Sequence, residues 1–416
     1  MKNFFYIVIL FCFLSINLHS QWSKKETGFN KRFICSAILD TNTCYIGGDN
    51  EVLLKTTDSG NSWNSSSIIS LSSITFHSLF FVDKMHGWGV TYAYDQYNDR
   101  TGKIVSTKDG GKTWAEQFIV NGYVLHSVYF VDTLKGWVVG SSGLVLNTTD
   151  GGKTWNGQSI SPYWLYSVYF INNQTGWIVG NIEGSIFKTT NGGINWLPIN
   201  TQDSAWYYSV DFINPDTGWA AGDSGTVIKT VDGGQNWQQQ STNTNSELRK
   251  IYFQNPDTGW AVGLGGVLLS TKNGGYTWQK LQTGTTIDLY SVSVANDFIW
   301  VVGDSGLVLT GRTDQLNVTG INGKPNGIIN QYEINQNYPN PFNPSTTIKY
   351  EIPKASLVKI KVYDILGRQV AELVNNEKPA GRYTVTFDAS KYSSGVYFYG
   401  ITAGDFSQIK KMVLLK

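Results

Sequence analysis

The pattern T-x-(D/N)-x-G-x-(S/T/N)-W recurs six times in this chain, and the last four spacings between its Trp residues are each 41. The first copy is Thr56-Thr57-Asp58-Ser59-Gly60-Asn61-Ser62-Trp63. The others span 107–114, 148–155, 189–196, 230–237 and 271–278. A second ladder places an aromatic residue before a short run ending in Gly: Tyr45, Trp88, Trp137, Trp177, Trp219, Trp260 and Trp300. A third ladder, S-V-x-F, precedes it at 127–130, 167–170, 209–212 and, less strictly, 291–294. Each unit thus holds four short runs of strand composition, in the third unit at about 127–131, 137–140, 144–147 and 155–159. Four strands per 41 residues is the period of a propeller blade.

Seven aromatic-Gly runs accompany only six boxes. The seventh unit stops near Thr310 without one, and Trp22 lies one 41-residue step before Trp63. Residues 21–26 are therefore expected to supply the outermost strand of the last blade. That would close the ring and remove its open edges.

The box itself reads as a turn between strands. Its Asp or Asn caps backbone N–H groups, its Gly takes φ > 0 and its Trp packs between blades. Asp58, Asp109, Asp150 and Asp232 fill the acidic position, but Asn191 and Asn273 replace it in two copies. Asn serves a turn and not acid–base chemistry. Six copies on six blades cannot converge on one substrate.

Composition agrees with an all-β chain. Charged residues are 15%, aromatics 14%, with 15 Trp and 44 Gly. Lys+Arg number 32 against 31 Asp+Glu. This balance argues against a nucleic-acid partner gripped through phosphates. Residues 1–20 read as a signal peptide: Lys2 is followed by an apolar stretch too short to span a membrane, then by Leu18-His19-Ser20. No transmembrane segment is expected after it. Cys12 sits behind the bulky Phe11, which disfavours lipid anchoring. Cys35 and Cys44 remain after cleavage. A hairpin at 40–43 would hold them apart, so two free buried thiols are expected. Two cysteines alone make no zinc site, and neither a metal nor a cofactor is expected.

The repeat resembles the Asp-box propellers, most closely the seven-bladed group of the photosystem II stability/assembly factor. The resemblance covers 21–310 and implies a scaffold that binds protein partners. The basic partner-binding patch of plant-type members has no counterpart here. Residues 21–310 carry 18 Lys+Arg and 23 Asp+Glu, and the Arg residues in or just after them are Arg32, Arg100, Arg249 and Arg312.

Residues 311–332 are Gly-, Asn- and Thr-rich and read as a linker. Alternating runs follow at 346–352, 358–363, 383–387, 395–401 and 411–415. They predict a small Ig-like β-sandwich over 333–416. This segment carries Asn337-Tyr338-Pro339-Asn340-Pro341-Phe342-Asn343-Pro344, Leu366-Gly367-Arg368, Ser394-Gly395-Val396-Tyr397-Phe398-Tyr399 and the ending Lys410-Lys411-Met412-Val413-Leu414-Leu415-Lys416. It closely resembles the type A C-terminal sorting domain of the type IX secretion system. The resemblance implies that the secretion machinery is a partner of the tail. It places the protein in the medium or on the outer-membrane surface.

No HExxH, G-x-S-x-G or phosphate loop is present. Loop carboxylates do occur, at Asp95, Asp99, Glu183, Asp203, Glu247 and Asp288. A glycoside hydrolase needs two of them facing each other, and that is the alternative reading. The second unit is longer than the others, with Tyr92, Tyr94 and Tyr97 in a predicted loop between its second and third strands. That loop shares a face with the blade-to-blade connections, which carry Tyr123, Tyr163, Trp164, Trp206 and Tyr207; the boxes lie opposite. These aromatics, with Arg249, form a candidate ligand-binding face for an unidentified protein or glycan. Packing between blades is their other possible role. The residues before each S-V-x-F run, Cys35, His77, His126, Tyr166, Tyr208, Arg249 and Tyr290, would ring the channel mouth. The expected protein is a non-catalytic exported propeller.

Overall fold

The computed structural model describes residues 22–66, 74–94, 99–181, 185–314, 316, 332–334, 336–337 and 340–415. Its contacts divide the chain into two units, 1–320 and 321–416. The expected signal peptide, Asp95, Tyr97, Glu183, Tyr338, Pro339 and most of the expected linker lie outside the described residues.

The first unit holds seven four-stranded antiparallel sheets. In the third blade the strands are Leu125–Phe130, Gly136–Gly140, Leu144–Thr148 and Asn156–Ser159, from inside to outside. The seventh sheet joins both ends of the unit. Ser23 pairs with Thr310 and Lys24 with Leu309, and Lys25 N–H donates to Val308 O at 2.9 Å. Trp22 is buried there against Trp260 and Val294. The third strand of that blade runs on to Arg312, and Leu316 packs against the same cluster.

The cores between blades repeat one aromatic stack. Trp177 of the fourth blade lies flat on Phe212 of the fifth at 3.6 Å, and the box residue Trp237 meets Phe212 edge-on at 5.9 Å. Trp88, Phe130 and Trp155 repeat this, as do Trp137, Phe170 and Trp196, and Trp219, Phe253 and Trp278. Edge-to-face and offset pairs of this kind add about 0.5–1.5 kcal/mol beyond burial. Trp22, Val294 and Trp260 occupy the same places where the ring closes.

Each box is a hydrogen-bonded knot. In the second blade Thr107 Oγ1 donates to Asp109 Oδ1 (2.8 Å) and accepts from Gly111 N–H (2.8 Å). Asp109 accepts from Thr113 N–H (2.9 Å) and Thr113 Oγ1 (2.6 Å). Gly111 sits at φ +74°, and a Cβ there would meet Tyr45 at 2.6 Å. Asn191 and Asn273 accept the equivalent N–H groups of Asn195 and Thr277, each at 3.0 Å. The neutral side chain does the same work.

These bonds stabilise the ionised carboxylate. Hydroxyl donors (Ser62, Thr113, Thr154) first, then backbone N–H groups, hold Asp58, Asp109 and Asp150 down to about 2. At Asp232 burial opposes the shift and the Asn236 donors outweigh it. The folded value lies below the unfolded value of roughly 3.9. Their stabilisation is therefore complete above that pH and is lost as pH falls through about 2. Asp109→Asn should leave Tm at pH 7 nearly unchanged, Asp109→Ala should lower it by a few degrees, and near-UV circular dichroism should show wild-type loosening only below pH 4. Loss of structure already at pH 5 would contradict this account.

The expected thiols are both buried and free. Burial pushes Cys35 up to about 12 and raises Cys44 further.

The second unit is a two-sheet sandwich. One sheet contains Glu333–Ile334, Ser345–Ile352 and Gly381–Asp388; the other contains Gln369–Lys378, Ser356–Tyr363, Gly395–Ala403 and Phe406–Leu414, in that order across the sheet. Ile348, Tyr350, Val358, Ile360, Tyr399, Ile401 and Met412 fill its core. The strand Gln369–Lys378 had no alternating signature in the sequence. Asn337 is buried, taking a bond from its own N–H to Tyr399 Oη (2.7 Å) and donating to Thr346 Oγ1 (2.9 Å). Phe342 N–H donates to Val413 O at 2.9 Å, so the Pro-rich motif is stitched to the last strand. Asp364 pairs with Arg368 at 2.7 Å and shapes a turn that leaves Ile365 and Leu366 exposed.

Candidate functional site

The innermost strand of every blade contains a bulge near its start. Pairing skips one residue in each: Ile34, His77, His126, Tyr166, Tyr208, Arg249 and Tyr290. A bulge re-aims the extra side chain, and all seven line a central channel enclosing about 350 Å³. The expected ring is therefore present with one correction. Ile34 takes the bulge in the first blade, and Cys35 lines the channel from the place of the following serine, buried beside Gly47 and Phe76.

The serine after the bulge ties neighbouring blades together. Ser78 Oγ accepts from Val128 N–H (3.3 Å), Ser127 Oγ from Val168 N–H (3.4 Å) and Ser167 Oγ from Val210 N–H (3.4 Å). Ser291 Oγ meets Ser36 Oγ at 2.9 Å. In the sixth blade this serine is replaced by Lys250, which lines the channel. Among the described residues its Nζ has no hydrogen bond and no ion pair. Burial lowers its pKa, and the Asp211 charge opposes that shift. Asp211 lies two residues along the fifth blade's inner strand, where Tyr129, Tyr169 and Tyr252 stand in the third, fourth and sixth blades. Its Oδ2 accepts from Phe253 N–H at 2.6 Å, and burial lifts its carboxyl to about 7. Neither residue was singled out from the sequence. Lys250 replaces the serine of the S-V-x-F ladder and Asp211 puts a charge at its variable position, where Tyr stands in three other blades, and those departures are the available signal.

The mouth of the channel is aromatic. His77 and His126 stack with centroids 5.0 Å apart and their Nδ1 atoms 3.1 Å apart. His77 Nδ1 also lies 3.0 Å from Leu125 O. Burial depresses His77 to about 4 and holds His126 well below its ordinary value, so both rings are neutral at pH 7. Tyr92 packs on His77 at 4.7 Å, Trp164 and Tyr166 on His126 at 5.4 and 5.2 Å, and Tyr208 on Tyr166 at 5.2 Å. Arg100 lies 5.2 Å over Trp164, and Arg249 4.4 Å over Tyr208 while pairing with Glu247 at 2.5 Å.

Other candidates fall differently. Tyr163 and Trp206 are exposed at 41% and 43%, and Tyr123 is half-buried. Tyr207 is a correction. It is wholly buried, its hydroxyl donates to Asp203 at 2.6 Å, and it can present nothing to a ligand. It fills the apolar place held by Leu125, Leu165, Leu248 and Leu289 elsewhere. The lengthened second unit is not all loop: Gly87–Tyr94 and Arg100–Thr107 pair along eight residues each, extending the hairpin. Among the loop carboxylates, Asp203 accepts from Tyr207, Glu247 pairs with Arg249, and Asp288 accepts from Gly265 N–H at 2.8 Å. No group of three or more His, Cys, Asp or Glu among the described residues is arranged to hold a metal ion.

The sequence profile of the photosynthesis system II assembly factor YCF48 matches in five overlapping windows, 71–163, 117–205, 158–243, 195–285 and 236–322, together more than half of the chain. The chain belongs to the YCF48 family. A solved structure of YCF48 bound to D1 peptide superposes with a TM-score of 0.59 at 19% identity, covering 71% of this chain and 98% of that one. YCF48 from Cyanidioschyzon merolae gives 0.58 at 16%, covering 70% and 99%. A GH74 enzyme from Niastella koreensis gives 0.56 at 12%, covering 95% and 75%. These likenesses show the propeller fold. No curated protein matches the chain. Residues 336–415 match the secretion system C-terminal sorting domain. This YCF48-type propeller thus carries a type IX sorting tail, which implies export or display at the outer membrane. No helix among the described residues is long and apolar enough to cross a membrane.

Proposed function

We propose that the propeller is a non-catalytic recognition module that works outside the cell, on the outer-membrane surface or released from it. Its ligand-binding face is the one formed by the blade connections and the channel mouth. The observation that carries this reading is the aromatic and cationic cluster of His126, Trp164, Tyr166, Tyr208, Arg100 and Arg249 around a preformed opening. Rigid aromatics and arginines are the side chains that dominate recognition energetics. The engagement of Asp203, Glu247 and Asp288 in structural bonds supports a binding role over hydrolysis.

The test is a panel of polysaccharides, peptides and outer-membrane extracts offered to the mature full chain, with binding and product release scored together. Binding without release is expected. Trp164→Ala should weaken it by at least about tenfold, and Asp58→Asn on the opposite face should not change it. Release of a cleaved product would overturn the proposal.

A further inference from the structure

We propose that the channel mouth takes an acidic sugar, a hexuronate unit, with its carboxylate on Lys250. This names a ligand class for the face described above and rests on that reading of it.

The argument begins with charge. Three cations line the channel. Arg32 is paired with Asp49 at 3.4 Å and Arg249 with Glu247 at 2.5 Å. Lys250 has no such partner among the described residues, and the nearby Asp211 carboxyl accepts from Phe253 N–H. Asp211 acts on Lys250 only through its nearby charge and makes no ion pair with it, and an enclosed ammonium with no direct ionic partner is costly and favours an anion beside it. Lys250 also stands where other blades use a serine to tie to their neighbour, so the sixth blade has given up that tie for a charge facing the channel.

The remaining lining selects the kind of anion. The phenol groups of Tyr166, Tyr208 and Tyr290 line the channel and have no hydrogen-bond partner among the described residues. They can donate to and accept from sugar hydroxyls. The rings of Tyr166 and Tyr208, tilted against each other in the channel wall, add apolar C–H contact for a pyranose. The space of about 350 Å³ lies at the small end of ligand sites and suits one or two sugar rings. A peptide end fits less well. Only Ile34 and Leu79 among the lining residues offer large aliphatic surface for peptide side chains.

The experiment is calorimetric titration of the mature full chain with galacturonate, glucuronate and short oligogalacturonides. Galactose, glucose, acetate and a short peptide with a free carboxyl terminus serve as comparators. The uronates should bind, and each neutral sugar should bind at least about tenfold more weakly, as expected when a charge-assisted bond is lost. Lys250→Ser restores the residue used in the other blades. It should fold with an unchanged or higher Tm and lose at least tenfold in uronate affinity. Equal binding of acidic and neutral sugars overturns the inference, as does uronate binding that survives Lys250→Ser. Acetate or the peptide binding as tightly as galacturonate overturns the sugar class. If no uronate binds while the panel ligand of the previous section is still lost with Trp164→Ala, this inference fails and the recognition reading stands.

Discussion

Trp22→Ala is expected to lower the Tm of the propeller by about 10 °C. Removing a buried Trp side chain costs about 3–5 kcal/mol, and one kcal/mol corresponds to roughly 2–4 °C in a domain of some 200 residues. Among the described residues, Trp22 is the aromatic that the N-terminal segment contributes to the cluster formed with Trp260, Val294 and Leu309. Deleting residues 22–25 should cost more. The strand Val308–Arg312 would then present an unpaired edge, and exposed edges promote association. Thermal unfolding with size-exclusion chromatography checks both effects. An unchanged Tm in the deletion would mean that the ring holds without its N-terminal strand.

The second large effect concerns the space under the aromatic stack. A Cβ on Gly218 would lie 2.5 Å from the ring of Phe212. That ring cannot retreat, because Trp177 covers its other face at 3.6 Å. Gly218→Ala should therefore cost about 3 kcal/mol, at the upper end for overpacking. Phe212→Ala should cost about 3–5 kcal/mol through the cavity it leaves. The double variant should be no less stable than Phe212→Ala alone, because the clash has gone with the ring. Denaturant titration of the four proteins gives the coupling directly. Strict additivity would show that glycine is required at 218 not by contact with Phe212 but by some other constraint on its backbone.

The ring was legible because its determinants are local and repeated. Each box closes its own turn through residues four apart, and in the second to sixth blades the Gly-aromatic run meets the Phe just before it. The same arithmetic placed residues 21–26 opposite Thr310, 287 positions away from Ser23. The channel was less legible because a bulge breaks the strict two-residue alternation of a strand. Counting the ring from S-V-x-F placed Cys35 in it; with Cys35 standing in the serine place, the bulge falls on Ile34. Tyr207 looked like its neighbour Trp206, an aromatic on a connection. Only alignment with Leu125 and Leu165 shows that the chain turns it inward. Lys250 and Asp211 depart from the repeat, and reading a repeat for its consensus hides such departures.

The closing strand also decides how the propeller bears a pull. The chain leaves for the sorting tail from Val308–Arg312, the third strand of the last blade. That strand is flanked on one side by Phe298–Gly303 and on the other by the N-terminal Ser23–Lys24. Tension arriving from a tethered tail therefore enters a strand held along both edges instead of peeling a free one. If the tail were held at the outer membrane, the N-terminal segment would be the latch on the strand through which such tension enters.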